Sequence, residues 1–338
     1  MEVLAQNAPR FSVPSDHVES WFLRANDPLA PRAVWLKATV LLKRDGTSLA
    51  QAWISVFDGN RTLAICQDVP WGEAGFDADA AGHQFRVGGL QMQLDSESGA
   101  TNGELESPRG SVSWALSFDR HPGPLGRPMC LFPSERLIDA GFPRNKLLTP
   151  FPLARFSGNL TWNHETWDLS GWHGMQGHNW GTAHSPEYAW GQCVFTSSDP
   201  TGPVAVVEAA SGRIELGRRQ SPLMSMMVVR HGDQEYRFDR IIDLWRQKPR
   251  LEFPAWHLEM RGSQGTAALG MTGSPSRMVC LAYQNPRRET SYCLNSKTSP
   301  VSLAVAPRKG PAFQLSSPHG GALEFLRPEQ SPDVQPVV

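Results

Sequence analysis

The stretch Trp162-Asn-His-Glu-Thr-Trp-Asp-Leu-Ser-Gly-Trp-His-Gly-Met-Gln-Gly-His-Asn-Trp-Gly-Thr-Ala-His-Ser-Pro-Glu-Tyr-Ala-Trp-Gly191 holds five of the twelve tryptophans and four of the ten histidines of a 338-residue chain. The tryptophans are Trp162, Trp167, Trp172, Trp180 and Trp190, and the histidines are His164, His173, His178 and His184. Glycines at 171, 174, 177, 181 and 191 run between them. Indole rings supply wide apolar walls, imidazoles move protons or bind metals, and glycines let backbones approach closely. A segment combining all three reads as the wall of a ligand pocket rather than as an ordinary core strand.

On either side of it the pattern has period two. Phe156, Gly158, Leu160 and Trp162 alternate with smaller or polar residues, as do Val112, Trp114, Leu116 and Phe118, then Leu90, Met92 and Leu94, and later Trp256, Leu258 and Met260. Met224, Met226 and Val228 lead through His231-Gly-Asp to Tyr236 and Phe238, which reads as a hairpin. Prolines (28) and glycines (30) cut the chain into short pieces throughout. Many short strands between turns predict an all-β chain of barrels or sandwiches, with little helix. The best helical candidate is Ser134–Gly141, with Ser134 as N-cap and Gly141 as the stop. A boundary at Ser197–Pro203 divides the chain into residues 1–197 and 198–330, and the Pro-rich tail 331–338 reads as frayed.

A formal net charge of -1 argues against nucleic acid or an anionic membrane as partner. Five widely spaced cysteines without a CxxC pair predict free thiols, not a disulfide framework or a zinc site. No apolar run is long enough to span a bilayer and Met1–Arg10 does not read as a secretory leader, so the chain is expected to be cytoplasmic. The histidine gaps match no compact metal-ligand spacing, and no phosphate loop, dinucleotide fingerprint or nucleophile elbow occurs. No metal or cofactor is therefore expected.

Residues 156–181 resemble the carotenoid 1,2-hydratase (hydroxyneurosporene synthase) and AttH-like superfamily, related to tocopherol cyclase and lipocalin-like Diels-Alderases. The likeness is carried by Phe156-Ser-Gly-Asn-Leu-Thr-Trp162, Leu169-Ser-Gly-Trp-His-Gly-Met-Gln-Gly177 and His178-Asn-Trp-Gly181, with Lys146–Pro152 a weaker echo. The family pattern is His-Gln-Trp-Gly or His-Glu-Trp-Gly, often after Asp. Here Gly177 and Asn179 occupy the two positions where a carboxylate or Gln is usual. The resemblance implies two tandem lipocalin-like domains with an apolar pocket in or between the barrels.

The expected ligand is therefore an apolar small molecule, isoprenoid- or polyene-like. Acid-promoted hydration, cyclisation or isomerisation of its C=C bond needs a proton donor in a dry pocket. His178 is the first candidate, because imidazole titrates near neutrality; it could instead bond backbone carbonyls and fix a tight crossing between glycines. Glu208 ends the apolar run Val204–Val207, and Asp168 lies beside the motif but could simply start a turn. Trp172, His173, Asn179, Trp180, His184, Tyr188 and Trp190 are the candidate substrate-binding residues. A non-catalytic lipocalin-type binder, a pericyclase that only folds its substrate, and a protein-interaction sandwich are the alternatives.

Overall fold

Alternation of apolar and polar residues fixes two antiparallel sheets in the computed structural model, which describes residues 2–338 except 14, 80, 122–127, 130–137, 139–143, 198–201, 218 and 288. The first sheet is built from β1 (His17–Asn26), β2 (Arg32–Leu42), β3 (Leu49–Asp58), β4 (Arg61–Pro70), β5 (Gly75–Ala78) and β6 (His83–Val87). It continues with β7 (Leu90–Leu94), β8 (Ser98–Ser107), β9 (Gly110–Arg120), β10 (Asn145–Trp162), β11 (Glu165–Asp168) and β12 (Trp172–Gly181). Its order is β4-β3-β2-β1-β12-β10-β9-β8-β7-β6-β5, with β11 hairpinned onto β10. The short helix α1 (Val3–Asn7) lies ahead of it.

After Gly181 the chain crosses to a second sheet. Its strands are β13 (Tyr188–Thr196), β14 (Pro203–Gly212), β17 (Met224–His231), β18 (Gln234–Arg237), β19 (Lys248–Glu252), β20 (Ala255–Gly262), β21 (Gly265–Thr272), β22 (Val279–Gln284), β23 (Thr290–Pro307) and β24 (Phe313–Arg327). A small ribbon, β15 (Glu215–Leu216) with β16 (Arg219–Gln220), stands apart. The order β18-β17-β14-β13-β24-β23-β21-β20-β19, with β22 added to β23, repeats the plan of the first sheet. In both halves the first strand pairs with the last, and the last pairs with an 18-residue strand that changes register partway. The expected hairpin at His231-Gly-Asp is β17–β18.

Each sheet curls around its own core. Trp21, Phe85, Trp114, Phe118, Phe156 and Trp172 are among the residues filling the first, and Val207, Met227, Trp256, Met271 and Phe325 among those filling the second. A third apolar layer joins the outer faces of the two sheets, with Phe22, Trp35, Trp53, Met175, Trp190, Leu281 and Tyr283 at its centre. Strands β1, β2 and β3 are thus covered on both faces, which is why nearly every residue in them is buried.

Two expectations change. The candidate helix Ser134–Gly141, Ile138 apart, lies outside the described residues. The change of sheet falls at residues 182–187, ahead of β13, whereas the boundary expected at Ser197–Pro203 comes after it; β13 accordingly belongs with the second sheet. The tail is not frayed: Val337 N–H donates to Cys280 O, Ala282 N–H donates to Val338 O, and Val334 is buried in the second core. Apolar burial and β22's free edge hold a segment that composition alone marks as loose. The described cysteines are free thiols, with Cys193, Cys280 and Cys293 buried and Cys66 half-buried.

Gly174 and Gly177 of the motif are spacers. A Cβ at Gly174 would lie 1.6 Å from Arg24 O in β1, and one at Gly177 would lie 2.3 Å from the Phe22 ring. Gly174→Ala forces the central β1–β12 pair apart and is expected to destabilise the fold by about 3 kcal/mol. Denaturant unfolding checks this, and a loss below about 1 kcal/mol would show that the pair yields easily.

Candidate functional site

Period two splits β12 into two faces. Trp172, Gln176, His178 and Trp180 point into the first sheet, while Met175 and Asn179 point towards the second. Strand β2 is split in the same way. Val34, Leu36, Ala38 and Val40 fill the first core, and Trp35 and Lys37 face the second sheet. A cavity of about 120 Å³ opens where these outer faces meet. Its walls include Phe22, Trp35, Tyr188, Trp190, Met226 and Tyr283, and its half-buried rim includes Ser185, Arg213 and Ile214.

Three lysines lie at this interface: Lys37, Lys146 and Lys297. Lys297, fully buried on β23, is ion-paired with Glu324 on β24, which also accepts from Asn295 Nδ2 at 3.1 Å and from Tyr188 Oη at 3.4 Å. Lys37 is 4% exposed, and no hydrogen bond or ion pair holds it among the described residues. Its Nζ sits 3.8 Å from the Tyr283 ring centre, 5.6 Å from that of Trp35 and 5.4 Å from that of Trp53. Burial, with the charge of Lys297 adding to it, pushes the Lys37 ammonium down to about 8 against the opposing pull of Cys293 and Glu324.

His184 lies on the connector between the sheets. Asn285 Oδ1 accepts from its backbone N–H at 2.8 Å and from its Nδ1 at 2.9 Å, and its ring stacks on Tyr283. Nδ1 therefore carries the proton, leaving a lone pair on Nε2, which is buried and without a partner. Burial and the nearby Lys37 charge lower its pKa to about 4, opposed by the Asn285 hydrogen bond. At neutral pH the cavity thus holds a mostly protonated amine and a neutral imidazole with a free acceptor.

Four of the residues expected from sequence line this cavity: Asn179, His184, Tyr188 and Trp190. The others lie elsewhere. His178 is fully buried inside the first sheet, stacked on Trp21 (4.9 Å) and Trp180 (4.7 Å). Its Nδ1 meets Gln6 O at 2.7 Å and its Nε2 meets Glu19 Oε1 at 2.8 Å, so both nitrogens face acceptors and neither faces open space. The same Glu19 takes His17 Nε2 at 2.8 Å and the Arg10 backbone N–H. Burial raises the Glu19 pKa, but the hydrogen bonds to His17 and His178 outweigh it and hold the carboxyl below its ordinary range. The pocket-facing acid expected at His178 is instead an anchor for the N-terminal segment.

Trp180 is covered by His178 and by the Arg10 guanidinium, 5.5 Å from its ring centre. Trp172 packs in the first core against Trp167, and His173 is buried on β12. Glu208 is buried but ion-paired with Arg230 at 2.8 Å, and Asp168 is exposed at the end of β11, accepting from Ser170 N–H at 2.8 Å. The three expected acids are not brought together. His178 and His184 do not share a face, because β12 ends at Gly181 and the parity ends with it. Lys37, Tyr283, Lys297 and Glu324 escaped the sequence reading, although a lone Lys inside the apolar run Ala33–Leu42 is a signal. Among the described residues no cluster of His, Cys, Asp or Glu could hold a metal ion, and no helix is long and apolar enough to cross a membrane.

These features define an all-β architecture of two lipocalin-like units in tandem, with a cavity between their sheets. The crystal structure of a protein assigned to AttH, from Nitrosomonas europaea, has the same architecture: the TM-score is 0.52 at 11% identity, over 94% of this chain and 97% of that one. The fold is AttH-like. A porin-like protein from Bacteroides uniformis aligns over 93% of this chain and 96% of that one, at a TM-score of 0.17 and 8% identity. No family model and no curated protein matches the chain.

Proposed function

We propose that the protein is an enzyme that moves protons on a small, largely apolar molecule bound between its two sheets. The observation that carries this reading is the pairing of an unbonded Lys37 ammonium with the free Nε2 of His184 in one aromatic cavity. One group gives a proton and the other takes one, which is what hydration, cyclisation or isomerisation of a C=C bond requires. An isoprenoid or polyene chain suits walls of Phe22, Trp35, Trp190, Met224 and Met226. The enclosed space takes a ring-sized portion, by comparison with the ~150 Å³ cavities that hold benzene; the rest of a longer ligand would leave past Arg213 and Ile214.

Native mass spectrometry of the purified protein should reveal a non-covalent adduct of a few hundred daltons that denaturation releases. Incubated with protein in D2O, the recovered ligand should gain deuterium at carbon, and His184→Ala should slow this by ~10²-fold or more. A ligand that stays bound and never exchanges would make the protein a carrier.

A further inference from the structure

We infer that Lys37 captures an apolar aldehyde or ketone as a Schiff base on the aromatic wall of the inter-sheet cavity. This rests on the reading of that cavity as a ligand site and specifies the ligand's reactive group. Three observations point the same way. First, Lys37 is the unengaged lysine of the three at the interface: Lys297 is committed to Glu324 and Lys146 has a partner of its own, whereas no hydrogen bond or ion pair of the Lys37 amine would have to be broken before it attacks. Second, its nitrogen is enclosed by the faces of Trp35, Trp53 and Tyr283. Those faces stabilise a cation, and a protonated imine at the same nitrogen keeps the charge in place while the ligand carbon extends into the cavity. Third, the Nε2 lone pair of His184, whose ring stacks on the same Tyr283, is buried without a partner.

The step balances without a redox partner. The neutral Lys37 nitrogen donates its lone pair to the carbonyl carbon, forming a C–N bond as the C=O π bond opens onto oxygen. The nitrogen gives up its two protons by way of His184 Nε2, the oxygen gains two and leaves as water, and the C=N nitrogen then takes one proton from solvent, which restores the positive charge. A lysine poised near 8 also offers ~10% of its amine in neutral form at pH 7, ~300-fold more than a lysine at its ordinary 10.5.

The test uses the full chain with cinnamaldehyde as probe and sodium cyanoborohydride as reductant, read by intact mass and peptide mapping. One adduct is expected, heavier by the aldehyde less one oxygen, located on Lys37 at ~300-fold the level of any surface lysine. Its rate of formation should rise with pH and level off near 8. The Lys37→Arg variant should give none, and Lys37→Met serves if the arginine does not fold. Cinnamyl alcohol, which cannot form an imine, is titrated in parallel by tryptophan fluorescence. If the alcohol binds but the aldehyde labels lysines evenly or not at all, the Schiff base is wrong and the ligand cavity stands. If neither binds nor labels, both fall.

Discussion

Lys37→Met should yield a more stable protein, by about 3 kcal/mol at pH 7. The fall of the ammonium from its ordinary 10.5 to about 8 means that the fold disfavours the charged form by roughly that amount. The sign follows from proton binding. Below about 8 both folded and unfolded chains hold the proton, and the folded protein carries the whole penalty. Between about 8 and 10.5 the unfolded chain holds a proton that the folded one has lost, so wild-type stability climbs with pH. Methionine keeps the length and apolar contact of the side chain and has nothing to titrate. Urea unfolding of both proteins at pH 7 and pH 10 should show a gap that narrows at the higher pH. A variant weaker than wild type at pH 7 would mean that the aromatic box stabilises the ammonium more than burial penalises it. A gain in stability coupled to loss of aldehyde capture is the trade expected of a group kept for chemistry.

Glu19→Gln should act in the opposite direction, costing about 3–5 kcal/mol. Glu19 is fully buried and is the common acceptor for His17, His178 and the Arg10 backbone N–H. The amide removes the charge that His17 and His178 both face. The damage should concentrate at the N-terminal segment, which is fastened by Gln6 O to His178, by Asn7 to Gln176 and Trp21, and by Leu4 O to His83. Hydrogen exchange of residues 3–10 should accelerate more than that of β12. Acid should imitate the variant. The folded carboxyl titrates below its ordinary 4.5, so its contribution is complete above that value and is lost as pH falls through the folded pKa. An acid-unfolding curve for Glu19→Gln that overlays wild type would exclude Glu19 as the group responsible.

Much of the framework was legible because one face of many strands is solvated. Val112, Trp114, Leu116 and Phe118 alternate with exposed or half-buried partners in β9, and the period appears in the sequence itself. Strand β2 is different. Its Lys37 lies in a run buried on both faces, and the second face is covered by Tyr283 and the second sheet, remote in sequence. No local period can show which distant strand will cover a residue. For the same reason His178 and Asn179, adjacent in the motif, went to opposite sides of the sheet, one to an anchor and the other to the cavity. The motif located the strand that lines the cavity, and tertiary packing decided which of its faces opens onto it.

Each half of the molecule begins with the strand that its last strand must find. Trp21 lies opposite His178 in the first sheet, and Gly191 opposite Leu323 in the second. On the ribosome, β1 therefore waits without its central neighbour until β12 has emerged, although β2 can already cover its other edge. High contact order of this kind slows folding. The first half can nevertheless close before the second is finished, leaving its outer face, with Trp35, Lys37 and Trp53, open to water until the second sheet docks. During that interval the future cavity wall is a sticky surface, and Lys37 keeps one full charge in the middle of it, the kind of gatekeeper that discourages premature association.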